Sequence, residues 1–186
     1  MRKSHKFKLQ HQSNTIKLGN MLDGMWEIHV HIVRLARRYY RMFGKNLSAY
    51  RLKAHVTKLK KTTKPHWAAL PSQVVQDVVL RYGKSQDAFF ENIEDRKAGK
   101  TTRKVGRPKI KPRHKYNSMS FTQAGYKLED NRIKINCIDT WFSFHKHREI
   151  KGDIKTITIK RDRCGDYWIC FSCENVDDPE PKPKTR

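Results

Sequence analysis

The residues best suited to chemistry fall in one run, residues 96–115 (RKAGKTTRKVGRPKIKPRHK), which holds ten Lys and Arg and no Asp or Glu. Gly99, Gly106, Pro108 and Pro112 forbid a long regular helix through it. A segment so charged cannot bury itself, so an extended, solvated chain is expected. Such a run is either a linker or a strap that holds phosphates. The whole chain favours the strap, because 41 Lys and Arg against 18 Asp and Glu leave +23 on 186 residues. That much charge repels itself unless a polyanion neutralises it, and nucleic acid is the commonest such partner. A membrane surface is the other polyanion. No apolar run is long enough to span a bilayer, and no apolar signal-peptide core follows the basic start at residues 1–8. The expectation is an intracellular protein that binds nucleic acid and no membrane.

Other reactive side chains form weaker patterns. Asp87, Glu91, Glu94 and Asp95 recur at helical spacing, but on an outer face beside basic residues, where a solvated surface is expected rather than a Mg²⁺ site. His145 and His147 would share a strand face able to hold a metal, with no third ligand suggested. His29 and His31 diverge on a helix. The four cysteines include Cys170 and Cys173 at C-x-x-C spacing, yet residues 167–173 read as a strand, where positions three apart face opposite ways. Zinc needs that spacing in a tight turn with a second pair. No nucleophile–base motif and no phosphate-cradling glycine loop occurs. No catalytic residue, metal or cofactor is therefore expected.

The elements that must position the strap are helical before it and stranded after it. Residues 3–10 alternate as one strand, with Phe7 and Leu9 on the inner side. Over residues 14–43 the positions Leu18, Leu22, Met25, His29, Ile32, Ala36, Tyr40 and Phe43 make a helical stripe that Gly44 ends. Arg34, Arg38 and Arg41 fall opposite that stripe, as a ridge that either follows a phosphate backbone or stays wet. Ser48 caps a second helix with Leu52, Val56 and Leu59 inside and Lys53, Lys58, Lys60 and Lys61 outside. A third helix starts at Ser72, with Val75, Val78, Val79, Tyr82, Gln86, Phe89 and Ile93 inside, and runs to about residue 97. Gln73 and Gln76 lie on its outward arc, where their amides either meet a base or ribose or stay solvated.

Beyond the strap, short strands at 119–123, 126–128, 132–136, 141–147, 154–160 and 167–173 are separated by turn residues at the spacing of a meander or small barrel. Closing them with the first strand would remove an edge. The fold class read from this is α+β: a small wedge-like, OB-like β-barrel with an inserted three-helix lobe. The divisions are residues 1–11 and 116–176 for the barrel, 12–97 for the helical insertion, 98–115 for the strap and 177–186 for a Pro-rich tail.

The succession LPSQVVQDVVLRY, FFENI, GRPKIKPRHKYNSMSFTQAGYKLEDNRIKI, HREIKGDIKTITIKRD and YWICFSCE resembles the N-terminal half of the transposon-encoded TnpB (OrfB) proteins, relatives of type V CRISPR effectors. The resemblance implies a wedge-like barrel with a helical recognition lobe, often labelled helix-turn-helix. It implies binding of structured guide-type RNA and DNA through Lys104, Arg107, Lys109, Lys111, Arg113, Lys115 and Tyr116, and also through Gln73 and Gln76; Arg103 of the same basic run joins them as a candidate. In that family a Pro-rich tail precedes a RuvC-like nuclease whose acids hold two metals. Those acids are not among these 186 residues. The expected function is thus a nucleic-acid-binding module without its own catalytic site. The alternatives are a helix-turn-helix-like DNA-binding regulator of a transposon, or half of a split RNA-guided nuclease that works with a separate nuclease domain in trans, and the expected location is cytoplasmic and nucleoid-associated in a prokaryote.

Overall fold

The computed structural model describes residues 2–10, 15–122, 125–136, 138 and 140–175. Several expected features lie outside these residues: the helix start at Asn14, the strand end at Gln123 with the turn residue Ala124, Cys137, and the tail at 177–186. The chain divides into two compact units, Met1–Thr15 with Ser118–Arg186, and Ile16–Asn117. The fold is mixed α+β, with three α-helices and two antiparallel sheets.

In the sheet unit, β1 (Lys3–Lys8) pairs along its full length with β7 (Tyr167–Glu174), from Lys3 opposite Cys173 to Lys8 opposite Trp168. The lone first strand thus finds its partner more than 150 residues away. β7 also pairs with β6 (Asp153–Arg161), and β6 with β2 (Ser118–Thr122), which completes a sheet of order β1-β7-β6-β2. The second sheet runs β3 (Tyr126–Glu129), β4 (Arg132–Ile135), β5 (Trp141–Ser143). Period-two alternation makes one face of β7 apolar, so Tyr167, Ile169, Phe171 and Cys173 are buried. The two sheets share a core in which the rings of Phe7, Phe144 and Phe171 lie 5.4–5.8 Å apart.

A closed barrel is not formed among the described residues. β1 pairs along one edge with β7, and the only β-bridge from the chain's first strand to the second sheet, among the described residues, is that of Leu9 opposite Phe144. No ladder joins β2 to β3. The strand expected over 141–147 is also shorter than its pattern, ending at Ser143 before the Phe144 bridge. His145 and His147 therefore share no strand face. Instead His147 Nδ1 lies 3.3 Å from the His145 carbonyl, and its ring packs against Phe7.

The helical unit follows its sequence stripes except toward helix ends, where Phe43, expected inside, is 56% exposed and Leu59 and Tyr40 are only half-buried. α1 (Thr15–Phe43) buries Leu18, Leu22, Met25, Ile28, Ile32 and Ala36, and stops where Gly44 adopts φ +62°, a left-handed conformation that a side chain would disfavour. α2 (Ala49–Lys61) is capped by Ser48, whose Oγ accepts from the Arg51 amide at 3.3 Å. Of its lysines, Lys60 turns inward enough to donate to the Leu70 carbonyl. A 3₁₀ turn (Pro65–Ala69) then buries Trp67, and α3 (Ser72–Lys97) buries Val74, Val75, Val78, Val79 and Tyr82. The outer end of its stripe, Gln86, Phe89 and Ile93, is only half-buried. Between α1 and α2, His31 and His55 meet with Nε2 atoms 3.1 Å apart, ring centroids 5.3 Å apart and planes within 8°. Those three values place the nitrogens head to head, as one imidazole donating to the other.

Candidate nucleic-acid interface

The basic run is extended, as its Gly and Pro content requires, but it is held rather than free. It begins where α3 ends: Gly99 takes φ +70°, and the amides of Ala98 and Lys100 donate to Glu94 and Asp95 carbonyls at 2.9 and 2.8 Å. Asn92 on α3 then grips the run from the side. Its Nδ2 donates to the Arg103 carbonyl at 2.9 Å, and its Oδ1 accepts from the Val105 amide at 2.8 Å, as one rung of a sheet would.

From there the run passes along α1 in the opposite direction. Arg37 donates to the Pro108 carbonyl at 3.1 Å, Trp26 Nε1 to the Lys111 carbonyl at 2.8 Å, and the Lys111 amide to His29 Nε2 at 3.4 Å. Arg113 closes the series with a two-pronged contact to Asp23, its Nε 2.7 Å from Oδ1 and its Nη2 on Oδ2. That bond raises the Arg113 pKa above its ordinary value. His29 is buried, which pushes its pKa down, and the charge of Lys111 lowers it further, against a backbone hydrogen bond with Lys109. A neutral His29 is the form that accepts from the Lys111 amide.

This anchoring sorts the side chains of the strap. Val105, Pro108 and Ile110 are half-buried, while Arg103, Lys104, Arg107, Lys109, Lys111, Arg113 and Lys115 are exposed. The Arg107 guanidinium lies 4.4 Å from the Tyr40 ring centre and 5.5 Å from that of Phe89, a cation–π seat on α1 and α3. Arg107 and Lys109 line one open cleft with Arg37, Tyr40 and Arg41. Arg34 lines a second cleft, with Ile110 of the strap opposite.

The remaining expected site residues are placed differently. Arg38 is exposed and lines neither cleft. Gln73 and Gln76 are half-buried near the start of α3 and also line neither. Tyr116 is 5% exposed, packed beside the His29 ring at 5.1 Å, and burial pushes its phenol up to about 12. It is a packing residue in this structure, because the end of the strap turns it under the surface. Asp87, Glu91 and Glu94 are exposed, and Asp95 has Lys100 at 3.9 Å. Among the described residues no three His, Cys, Asp or Glu side chains gather as a metal would require, and no helix is long and apolar enough to cross a membrane.

Sequence reasoning missed the residues that hold the strap: Asp23, Trp26, Arg37, Tyr40 and Asn92. The available signal was the spacing of Val105, Pro108 and Ile110, three apolar side chains that a fully solvated run does not need. No protein-family model matches the chain, and no curated protein matches it.

Proposed function

We propose that the chain is the nucleic-acid-binding N-terminal module of a TnpB-like protein, holding guide-type RNA and the backbone of target DNA, without a catalytic site of its own. One observation supports it above the others: the strap is fixed to α1 and α3 through its backbone while its cations stay outside. Ordering an extended backbone costs about 1–2 kcal/mol per residue, and here the hydrogen bonds to Asn92, Arg37, Trp26 and His29 meet part of that cost before any ligand arrives. A row of exposed, pre-ordered cations suits a phosphate backbone and carries no sequence information, as expected where guide pairing reads the sequence. In this reading the sheet unit is an open form of a wedge-like, OB-like barrel and the helical unit is the recognition lobe.

The test is to purify the protein from its host at moderate salt and sequence the nucleic acid that accompanies it. One structured RNA mapping beside the protein's own gene is the expected result; a smear of unrelated RNA and DNA would contradict the guide-RNA reading. A second reading, a helix-turn-helix-like DNA-binding regulator, draws on the tight Gly44 turn between α1 and α2 and the exposed Lys53 and Lys58. It requires preference for one duplex sequence over structured RNA at matched salt, which a competition measurement decides.

A further inference from the structure

The second cleft of the helical unit differs in character from the strap beside it. Trp26 lines it with Val30 on α1 and Ile110 on the strap, and Arg34, Lys64 and His66 supply basic groups. The half-buried Trp26 indole is tied at its edge, since Nε1 donates to the Lys111 carbonyl at 2.8 Å. Arg34 and Lys64 are exposed, the latter just before the 3₁₀ turn. The one acid in the cleft, Glu27, is engaged: its Oε2 accepts from His66 Nε2 at 2.9 Å and Trp67 Nε1 at 3.1 Å, which hold its pKa below the usual value.

We propose that this cleft takes one unpaired nucleotide of a single-stranded nucleic acid, its base against the Trp26 ring and its phosphate between Arg34 and Lys64. The inference rests on the nucleic-acid reading above and adds the class of ligand. Three observations carry it. The wall is aromatic and apolar, so it suits the face of a base, and a base inside a duplex has both faces covered by its neighbours. The free cations outnumber the acid, which is already paired within the cleft, so the site suits an anion. The placement also fits, because Trp26, Arg34 and Lys64 all line this one cleft, the first two about two helical turns apart on α1.

The test compares binding of a short oligouridine with binding of a blunt RNA duplex of equal charge, at one salt concentration. Trp26→Leu should weaken oligouridine binding about ten- to a hundredfold more than Trp26→Phe, which loses the same Nε1 bond to Lys111 but keeps a ring, while duplex binding should fall by one and the same small factor in both. Arg34→Gln with Lys64→Gln should lower the salt dependence of oligouridine binding, and circular dichroism checks that every variant folds. Equal losses for Leu and Phe on both ligands would overturn the proposal and leave Trp26 as an anchor for the strap, through its bond to Lys111. Unchanged oligouridine binding by Trp26→Leu would overturn it outright. Failure of the unaltered protein to bind either ligand would overturn the nucleic-acid reading together with this one.

Discussion

Residues 16–117 carry 24 Lys and Arg against seven Asp and Glu, whereas residues 1–15 and 118–186 carry 17 against 11. The sheet unit spends its charges partly on itself, with Arg2 on Glu174 at 2.7 Å and Lys8 on Asp166 at 2.6 Å. Its cohesion comes from aromatic and β-branched side chains alternating along paired strands. The helical unit concentrates the excess of cations, and its strap is held mostly through backbone carbonyls and amides, so that most of its basic side chains need no acid to fix them. The difference teaches that net charge alone does not locate an interface. What distinguishes the strap is cations exposed on a backbone that the fold has already ordered.

The comparison can be broken first at the sheet core. Phe171→Ala removes a ring with no exposed surface that touches Phe7 and Phe144, and should cost the sheet unit about 3–5 kcal/mol, read as a shift in its denaturation midpoint. Nucleic-acid affinity, measured where the protein stays folded, should not change. Loss of affinity there would place the interface on the wrong unit.

A smaller effect sharpens the account of the strap. Asn92→Ala deletes both side-chain bonds to residues 103–105 and leaves a half-buried amide unsatisfied, so about 1–2 kcal/mol of local stability should go. Hydrogen exchange at the Val105 amide should rise to the rate of an open loop. Protection that persists would mean that α3 does not hold the strap.

The smallest effect is a pH dependence confined to the helical unit. His29 and His31 both fall below the ordinary 6.5, first through burial; His31 is lowered further by His55 and Lys64. A folded pKa below the unfolded one means that the unfolded chain takes the proton first. The stability these neutral rings contribute is therefore full above about pH 6.5 and is lost as pH falls below that value. Protonating His29 also removes the acceptor for the Lys111 amide. Denaturation midpoints on either side of that pH should show the loss, and His29→Gln should reduce it. A flat profile would contradict the neutral-histidine geometry.

Much of this architecture was legible in the sequence, because local rules set it. The stripes of α1 and α3, the Ser48 cap, the left-handed Gly44 and Gly99 and the alternation of β7 each depend on residues within a few positions of one another. The exceptions depend on contacts far apart in the chain. The strap's anchors are Asp23, Trp26 and Arg37, some 70–90 residues before the groups they hold. The barrel stays open among the described residues because β1 has only β7 as a ladder neighbour and no ladder joins β2 to β3, pairings between strands far apart in the chain. Tyr116 followed the same logic: beside basic residues it reads as a surface ring, and only the turn ending the strap puts it underneath.

The central claim is that the strap's own side chains contact phosphate. The most direct test is the salt dependence of RNA affinity for the protein with Lys104, Arg107, Lys109 and Lys111 all replaced by Ser, beside a control with Lys6 and Lys160 of the sheet replaced. Each phosphate contact contributes about 0.7–0.9 to the slope of log affinity against log salt, so the strap variant should lose about 3 units of slope while the control keeps its own. An unchanged slope in the strap variant would make the run a linker and contradict the account.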